Sequence, residues 1–187
     1  TMRVEDTRLV RRADIPPTPW RNGGGVTREL VAWPNAQDWD WRISVAEVAS
    51  SGPFSRFYGV QRWLAILAGA GVRLDFPSAS VELTPRSAPL AFSGEDPVIC
   101  SLLDGAVQDL NLMLRAGAAG SMRRVAGSLG STIDVAKTVA LYNLAAPAIL
   151  RVDGLAFGVP GESLAWRRLG PGARVDIEAE NALWMEW

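Results

Sequence analysis

Short apolar or alternating runs, broken by Gly, Pro, Asn and Asp, make up most of the sequence, and helical periodicity is scarce. The clearest alternation, over Trp39–Val48, predicts a strand. Its odd-numbered aromatic and aliphatic residues share one face, whereas Arg42 and Ser44 lie on the other. Further strands are predicted at Val26–Trp33, Ser80–Leu83, Leu90–Phe92, Val98–Leu103, Val107–Leu114, Ile133–Leu144, Ala148–Val152, Ser163–Arg168, Ala173–Ile177 and Ala182–Trp187. Many short strands with frequent turn signals indicate an all-β sandwich or barrel.

Two local features carry separate predictions. Gly69 and Gly71 separate the apolar run Arg62–Ala68 from the run Val72–Phe76. Because glycine has the backbone freedom that tight turns need, this pattern predicts a β-hairpin. The segment Arg8–Asp14 is predicted to form one short helical turn.

A weak internal repeat predicts two tandem β-units. The run Ile66–Gly69 is echoed by Ile149–Gly154, and each is followed by a proline-containing turn and a further strand. The small residues Ala116–Ser121 form the natural joint between the two units. We therefore expect two barrels packed as one unit, over residues 1–115 and 116–187, with the candidate pocket in the first.

Composition removes several classes of function. The 19 basic and 20 acidic residues nearly cancel, so the basic face of a duplex-binding domain is not expected and no nucleic-acid partner is predicted. The chain has no histidine, which excludes His-ligated metal sites and mechanisms with histidine as the base. Its one cysteine, Cys100, lies in an apolar run and is predicted to be a buried thiol. No metal or other cofactor is predicted.

The sequence also predicts where the protein works. Its longest apolar stretch, Trp63–Val72, contains two glycines and is too short to span a bilayer. The N-terminal segment is charged and lacks the apolar core of a signal peptide. We therefore expect a cytoplasmic protein with no membrane partner.

The densest cluster of candidate functional residues is Pro16–Glu29, in which three prolines precede the consecutive Gly23, Gly24 and Gly25. A phosphate-binding loop leads into a helix, whereas these glycines lead into a predicted strand, so phosphate binding is rejected. Two explanations remain. The segment is either an irregular crossing between two sheets or a rigid rim beside a small-molecule pocket.

Arg42 and Ser44 are polar residues in an otherwise apolar strand. A buried arginine is costly unless it is paired. Its partner is expected to be a carboxylate of the protein, Glu29 or Glu47, or the carboxylate of a ligand, which suits the guanidinium fork. A solvated strand face is the remaining explanation.

The run Val107–Leu114 also alternates. Its three leucines would face one core, whereas Asp109, Asn111 and Met113 would face the opposite side. That side is either solvent or the lumen of a barrel.

Several motifs, in the same order, resemble the HutD/Ves family. They are Pro19–Glu29, Trp39–Val48, Gly52–Ser55, Gly94–Glu95, Asp104–Gly105 and Asp109–Met113. The resemblance implies a cupin-like double β-barrel, or bicupin, and a link to bacterial histidine utilisation, which HutD proteins govern without catalysing a step. It implies a small acidic metabolite as ligand, of the formylglutamate or urocanate type. The Ves branch is associated with stress or cold induction. At Arg21 the family more often has lysine, so the charge is kept.

The residues and the resemblance together predict a metabolite-binding regulator. Trp20 would form an apolar wall, the glycine backbone and Asn22 would donate hydrogen bonds, and Arg42 would pair with a ligand carboxylate. The predicted ligand-binding residues are Trp20, Arg21, Asn22, Gly23, Gly24, Gly25, Glu29, Arg42, Ser44, Glu47 and Asn111. No catalytic residue is assigned.

Two other classes of function stay open. A metal-free isomerase or hydrolase would use Glu47 or Glu29 as its general base. A protein-binding module would instead present exposed tryptophans to a partner.

The oligomeric state is a separate question. β-barrels often pair through their edge strands, and such pairing would give a homodimer.

Overall fold

The structure, a computed structural model, describes residues 7–115 and 117–187. They fall into two compact units, one over Ile15–Ala119 and one that combines the residues up to Asp14 with Gly120–Trp187. Ala116, where the second barrel was expected to begin, lies outside the described residues, and the predicted domain boundaries stay a prediction. The N-terminal residues 1–6, on which the expectation of no signal peptide partly rests, also lie outside them.

The described residues form seventeen strands and one 3-10 helix, Arg12–Asp14, without an α-helix. The strands are β1 (Arg8–Arg11), β2 (Thr18–Pro19), β3 (Gly25–Trp33), β4 (Trp41–Val48), β5 (Gly52–Pro53), β6 (Val60–Ala68), β7 (Val72–Asp75), β8 (Ser80–Leu83), β9 (Leu90–Ser93), β10 (Ile99–Leu102), β11 (Val107–Arg115), β12 (Ser121–Thr132), β13 (Lys137–Asn143), β14 (Ala148–Val152), β15 (Leu155–Val159), β16 (Ser163–Leu169) and β17 (Arg174–Glu186). The predicted all-β class is confirmed. Within the same residues, no helix is long and apolar enough to cross a bilayer.

Two antiparallel sheets build the Ile15–Ala119 unit. One has six strands in the order β2-β3-β4-β11-β6-β9, and the other has four in the order β5-β10-β7-β8. Leu64 and Ile66 of the larger sheet pack in one buried cluster with Leu74 and Cys100 of the smaller sheet. Cys100 is 1% exposed, which confirms the predicted buried thiol, and burial raises its pKa to about 12.

The second unit is built on one seven-stranded sheet. Its main order is β1-β16-β13-β17-β14-β15, and β12 also pairs with β17. Fully buried residues such as Val139, Leu141 and Leu150 form its core.

The predicted hairpin between β6 and β7 is wrong. β6 pairs with β11 and β9, whereas β7 pairs with β10 and β8, so the connection passes from one sheet to the other. Gly69 and Gly71 have φ of +98° and +116°. A Cβ at Gly69 would lie 2.6 Å from the carbonyl oxygen of Ala106. Glycine is therefore required here, but by a crossing between sheets and not by a two-stranded turn.

Other boundaries also differ from the predictions. Arg8–Arg11 is a strand paired with β16, and only Arg12–Asp14 is helical. The predicted strands Ala173–Ile177 and Ala182–Trp187 are parts of one strand, β17, because β12 pairs along nearly its whole length. β12 was not predicted, and only its first residue, Ser121, belonged to the predicted joint, since most residues of β12 are exposed and the strand lacks a clear apolar alternation.

Candidate functional site

A cavity of about 420 Å³ lies within the Ile15–Ala119 unit. Its volume falls in the range of small-molecule sites, roughly 300–1,000 Å³. The wall combines aromatic and aliphatic side chains with three arginines and one aspartate. The lining residues are Pro19, Trp20, Arg21, Asn22, Thr27, Arg42, Ser44, Ala46, Pro53, Phe54, Ser55, Phe57, Arg62, Asp109, Asn111 and Met113.

Alternate residues of two neighbouring strands form one wall of the cavity. They are Arg42, Ser44 and Ala46 of β4 and Asp109, Asn111 and Met113 of β11. The strand register pairs Asp109 with Ala46, Asn111 with Ser44 and Met113 with Arg42. Because side chains alternate along a strand, the leucines of β11 point to the opposite face, where they are buried. Of the two environments that the sequence left open for Asp109, Asn111 and Met113, the structure shows the cavity.

Arg62 of β6 lies beside the same wall, with its Cα opposite that of Met113. The residue is 5% exposed, and its Nη2 donates a hydrogen bond to Oδ1 of Asn111 at 2.7 Å. The guanidinium carbon lies 5.0–5.5 Å from the ring centroids of Phe54, Phe57 and Phe92. These contacts hold the cation in one place, since three aromatic faces enclose it.

Arg62 keeps a positive charge that no carboxylate neutralises directly. Among residues 7–115 and 117–187 no acidic side chain forms an ion pair with it, and its Nε has no hydrogen-bond partner. Burial lowers the pKa of Arg62 to about 10, the charge of Asp109 opposes this shift, and the charge of Arg42 adds to it. At neutral pH Arg62 is therefore a buried cation with a free donor.

Asp109 is the acidic group of the cavity, and it is 3% exposed. Its Oδ1 accepts a hydrogen bond from Nδ2 of Asn111 at 2.8 Å. Burial raises the pKa of Asp109 to about 7, although the charge of Arg62, Asn111 and the backbone of Ala46 favour the carboxylate. At neutral pH Asp109 thus compensates the positive charge of Arg62 only in part.

Arg42 differs from Arg62 because it has a carboxylate partner. Its Nε donates to Oε1 of Glu29 at 2.8 Å, with the two side chains 20% and 35% exposed. Of the explanations open at the sequence level, the structure therefore shows the internal pair with Glu29. Glu47 is exposed and does not line the cavity.

The glycine-rich segment is the turn that joins β2 to β3, two paired strands of one sheet. It is therefore not a crossing between sheets, and its side chains form part of the cavity rim. The amides of Gly23 and Gly24 donate within the turn, to the carbonyl oxygen of Trp20 at 3.0 Å and to Oδ1 of Asn22 at 2.8 Å. A Cβ at Gly25 would collide with the carbonyl oxygen of Glu47. The glycines thus shape the rim.

Trp20 is fixed from both sides of this turn. Its indole Nε1 donates to Oγ1 of Thr27 at 2.7 Å, and its amide donates to the carbonyl oxygen of Gly25 at 2.9 Å. The ring therefore lies on the cavity wall in a defined orientation.

The structure brings together about half of the predicted site. The predicted residues that line the cavity are Trp20, Arg21, Asn22, Arg42, Ser44 and Asn111. Glu29 reaches it only through Arg42, and Gly24 lines a second cavity of about 230 Å³. Gly23, Gly25 and Glu47 line neither of the two cavities. That these residues bind a ligand stays a prediction.

Sequence reasoning did not assign Arg62 or the phenylalanines around it to the site. A signal was present, since Arg62 is a charged residue inside the apolar β6 run, in the same pattern that singled out Arg42. Asp109 was expected to face either solvent or the lumen and was given no role.

The cavity does not fit a metal ion. Its buried oxygen donors are Asp109, Asn111 and Ser44, and two guanidinium groups that repel a cation lie beside them. In the described part of the chain, no three His, Cys, Asp or Glu side chains are grouped to hold a metal.

Comparison with known proteins decides the family. The sequence model of the HutD family matches residues 12–184. The chain belongs to the HutD family. A protein of 21.2 kDa in the hutC 3' region of Pseudomonas putida is 43% identical to this HutD-family chain over 113 residues, 59% of either length. Protein Ves of Citrobacter koseri is 39% identical over 130 residues, covering 65% of the chain and 68% of Ves. The chain thus spans less than two thirds of the Pseudomonas putida relative.

Solved structures show the same fold. HutD from Pseudomonas fluorescens SBW25 superposes with a TM-score of 0.81 at 27% identity, with 97% of each chain covered. A variant of oxalate decarboxylase from Bacillus subtilis gives a TM-score of 0.62 at 9% identity, over 95% of this chain and 76% of the enzyme. The second likeness shows the fold alone. The predicted cupin-like double β-barrel is confirmed, and the HutD family is associated with histidine utilisation.

Proposed function

We propose that the protein is a metabolite-binding regulator of histidine utilisation, and that its cavity binds a small carboxylate of the formylglutamate or urocanate type. The observation that carries the proposal is the buried Arg62, a cation without a carboxylate partner that faces a cavity of ligand size. A guanidinium group in such a site binds a carboxylate strongly, because its N–H groups donate to the carboxylate oxygens and the ligand replaces the solvation that burial removed.

The remaining wall supports a small organic anion over an inorganic one. Trp20, Phe54, Phe57 and Met113 give the cavity a large apolar surface, which an ion without carbon would not cover. Arg21 lies on the wall and is exposed. Because Arg21, Arg62 and Trp20 line the same cavity, we expect a dicarboxylate to use both arginines and a flat monocarboxylate to stack its ring against Trp20.

Binding is favoured over the proposed catalysis by Glu47 or Glu29. Glu47 points away from the cavity, and Glu29 is held in its ion pair with Arg42. A general base must lie within hydrogen-bond reach of the substrate, either directly or through one water molecule. The two carboxylates therefore give no support to an isomerase or hydrolase that depends on them.

A thermal-shift screen tests the proposal. The panel is histidine, urocanate, formiminoglutamate, formylglutamate and glutamate. A ligand at 100 times its dissociation constant adds about 2.7 kcal/mol to the unfolding free energy, so a clear rise in melting temperature is expected with one acidic intermediate.

Two variants locate the binding site. Arg62→Gln removes the charge from the cavity and is expected to abolish the shift. Arg86→Gln removes the same charge from an exposed turn outside the cavity and is expected to preserve it. A wild-type protein that responds to none of the five compounds, or an equal shift in Arg62→Gln, would contradict the proposal.

A further inference from the structure

Three side chains on the cavity wall form one hydrogen-bonded series. Arg62 donates to Oδ1 of Asn111 at 2.7 Å, and Nδ2 of Asn111 donates to Oδ1 of Asp109 at 2.8 Å. All three residues are less than 7% exposed, and all three line the cavity. The amide of Asn111 is thus oriented by a cation on one side and a carboxyl group on the other. Whatever binds at Arg62 therefore lies close to Asp109.

The groups that face Asp109 come from the strands packed around it. From β6 the charged neighbour is Arg62. Arg42 of β4 lines the same cavity opposite Met113, further along the strand pair, and its charge is compensated by Glu29 of β3. From β10 the titratable neighbour is Cys100, which stays a neutral thiol at physiological pH because its pKa is raised to about 12. Asp109 thus has one uncompensated cation close to it. Even with that cation present, burial raises the pKa of Asp109 to about 7.

A carboxylate bound at Arg62 would bring a second negative charge into this buried site. Two carboxylates at close range in a low-dielectric site do not both stay ionised, and one of them takes up a proton. Asp109 is the group whose charge the protein already disfavours. The ligand carboxylate, by contrast, gains the charge of Arg62.

We propose that the cavity takes up its carboxylate ligand together with one proton, and that Asp109 is the residue that receives it. The inference rests on the proposed function. The proton comes from the solvent and forms an O–H bond on the Asp109 carboxyl group, and no other covalent bond changes. Asp109 then becomes a donor where the ionised form only accepts. The site therefore selects ligands that present a carboxylate oxygen to Asp109, and affinity falls as pH rises.

Calorimetry with formylglutamate tests this inference. Formylglutamate is a suitable probe because its carboxyl groups titrate well below pH 6, near the ordinary values of about 4. Binding heats measured at pH 8 in two buffers of different ionisation enthalpy give the number of protons taken up. The wild-type protein is expected to take up close to one proton per ligand at pH 8 and far less at pH 5.5. Its dissociation constant should rise by up to about tenfold per pH unit between pH 7 and 9.

Asp109→Asn and Asp104→Asn form the matched pair. Asp109→Asn keeps an oxygen acceptor for Asn111 and is expected to bind with no proton uptake and a pH-independent dissociation constant. Asp104 is exposed and does not line the cavity, so its variant should behave as wild type.

The outcomes separate the two proposals. Wild-type binding without proton uptake at pH 8, or equal uptake in Asp109→Asn, overturns the role of Asp109 and leaves the proposed function standing. No wild-type binding at any pH overturns the proposed function, and this inference falls with it. Should Asp109→Asn not fold, the wild-type pH series decides alone, because a dissociation constant that is constant from pH 7 to 9 refutes the coupling.

Discussion

Arg62→Met should leave the protein folded with nearly unchanged stability while abolishing carboxylate binding. Methionine has a similar length and fills the space between the phenylalanine rings, but it carries no charge. The expectation is unusual for a buried residue, because removal of a buried polar group with good partners usually destabilises a protein by several kcal/mol.

The magnitude follows from two opposing contributions. Burial lowers the pKa of Arg62 from its ordinary value to about 10. Because one pKa unit corresponds to about 1.4 kcal/mol, the fold disfavours the charge by about 3 kcal/mol. Removing the guanidinium relieves that cost. Against it, Oδ1 of Asn111 loses its donor, which costs about 1–3 kcal/mol. Contacts of the methionine sulfur with the rings replace part of the lost cation–π attraction. The net change in unfolding free energy should stay below about 2 kcal/mol.

Urea unfolding followed by tryptophan fluorescence measures the stability, and calorimetry with formylglutamate measures the binding. Arg86→Met is the control, with the same substitution at an exposed turn. If Arg62→Met lowered the unfolding free energy by more than about 4 kcal/mol, the reasoning would be refuted, because the guanidinium group would then stabilise the folded protein. Unchanged binding would show that Arg62 is not the ligand's partner.

Three further substitutions probe other parts of the cavity. Glu29→Gln frees Arg42 from its ion pair, so the charge of Arg42 should add to the attraction for a ligand carboxylate and lower its dissociation constant severalfold. Calorimetry measures this change, and weaker binding by the variant would contradict it. Asp109→Asn should raise the unfolding free energy above pH 7 by up to about 4 kcal/mol and leave it unchanged below pH 4, measured by urea unfolding across that range. In the wild type the carboxyl group of Asp109 has its pKa raised from 3.8 to about 7, so ionisation lowers the unfolding free energy as pH rises from about 4 to 7. If the unfolding free energies of variant and wild type change in parallel with pH, this explanation is wrong. Gly25→Ala should destabilise the protein by about 1–3 kcal/mol because the new Cβ meets the carbonyl oxygen of Glu47 on the neighbouring strand. Gly52→Ala is the control, because the space around Gly52 is open and no destabilisation is expected. Equal unfolding free energies for the two variants would contradict the packing argument.

The faces of individual strands could be predicted because burial repeats with a period of two residues. The alternation in β4 placed Arg42 on one face with Ser44, and that in β11 placed Asp109 on one face with Asn111, without any knowledge of the fold. That both faces line one cavity came only from the structure. The same period also excludes Glu47 as a partner of Arg42, since residues five apart on a strand point to opposite faces. Glu29 is the partner because the register places it opposite Ser44, on the face that Arg42 shares.

The pairing of strands could not be predicted from the same patterns. Gly69 and Gly71 would suit a hairpin equally well, because both a tight turn and a crossing between sheets require glycine in left-handed backbone conformations. β12 has little apolar alternation, since its backbone hydrogen bonds to β17 hold it in the sheet while most of its side chains stay exposed. Which strand a segment pairs with therefore depends on the partner strand and cannot be inferred from the segment alone.

The same limit explains why the sequence singled out Arg42 as a ligand-binding candidate and not Arg62. Both are arginines inside apolar strands, and only the tertiary structure shows which one has an internal carboxylate. Glu29 neutralises Arg42, so Arg42 shapes the wall but adds little net attraction for an anion. Within the described ranges Arg62 has no carboxylate as an ion-pair partner, and a ligand carboxylate would provide that negative charge. Ionised Asp109 partly offsets the positive charge of Arg62, whereas protonated Asp109 does not. The electrostatic attraction of the cavity for an anion should therefore be strongest when Asp109 is protonated. If the cavity binds the proposed carboxylate, this arrangement would discriminate by charge first and by shape second, so a neutral analogue of formylglutamate should bind far more weakly than the acid.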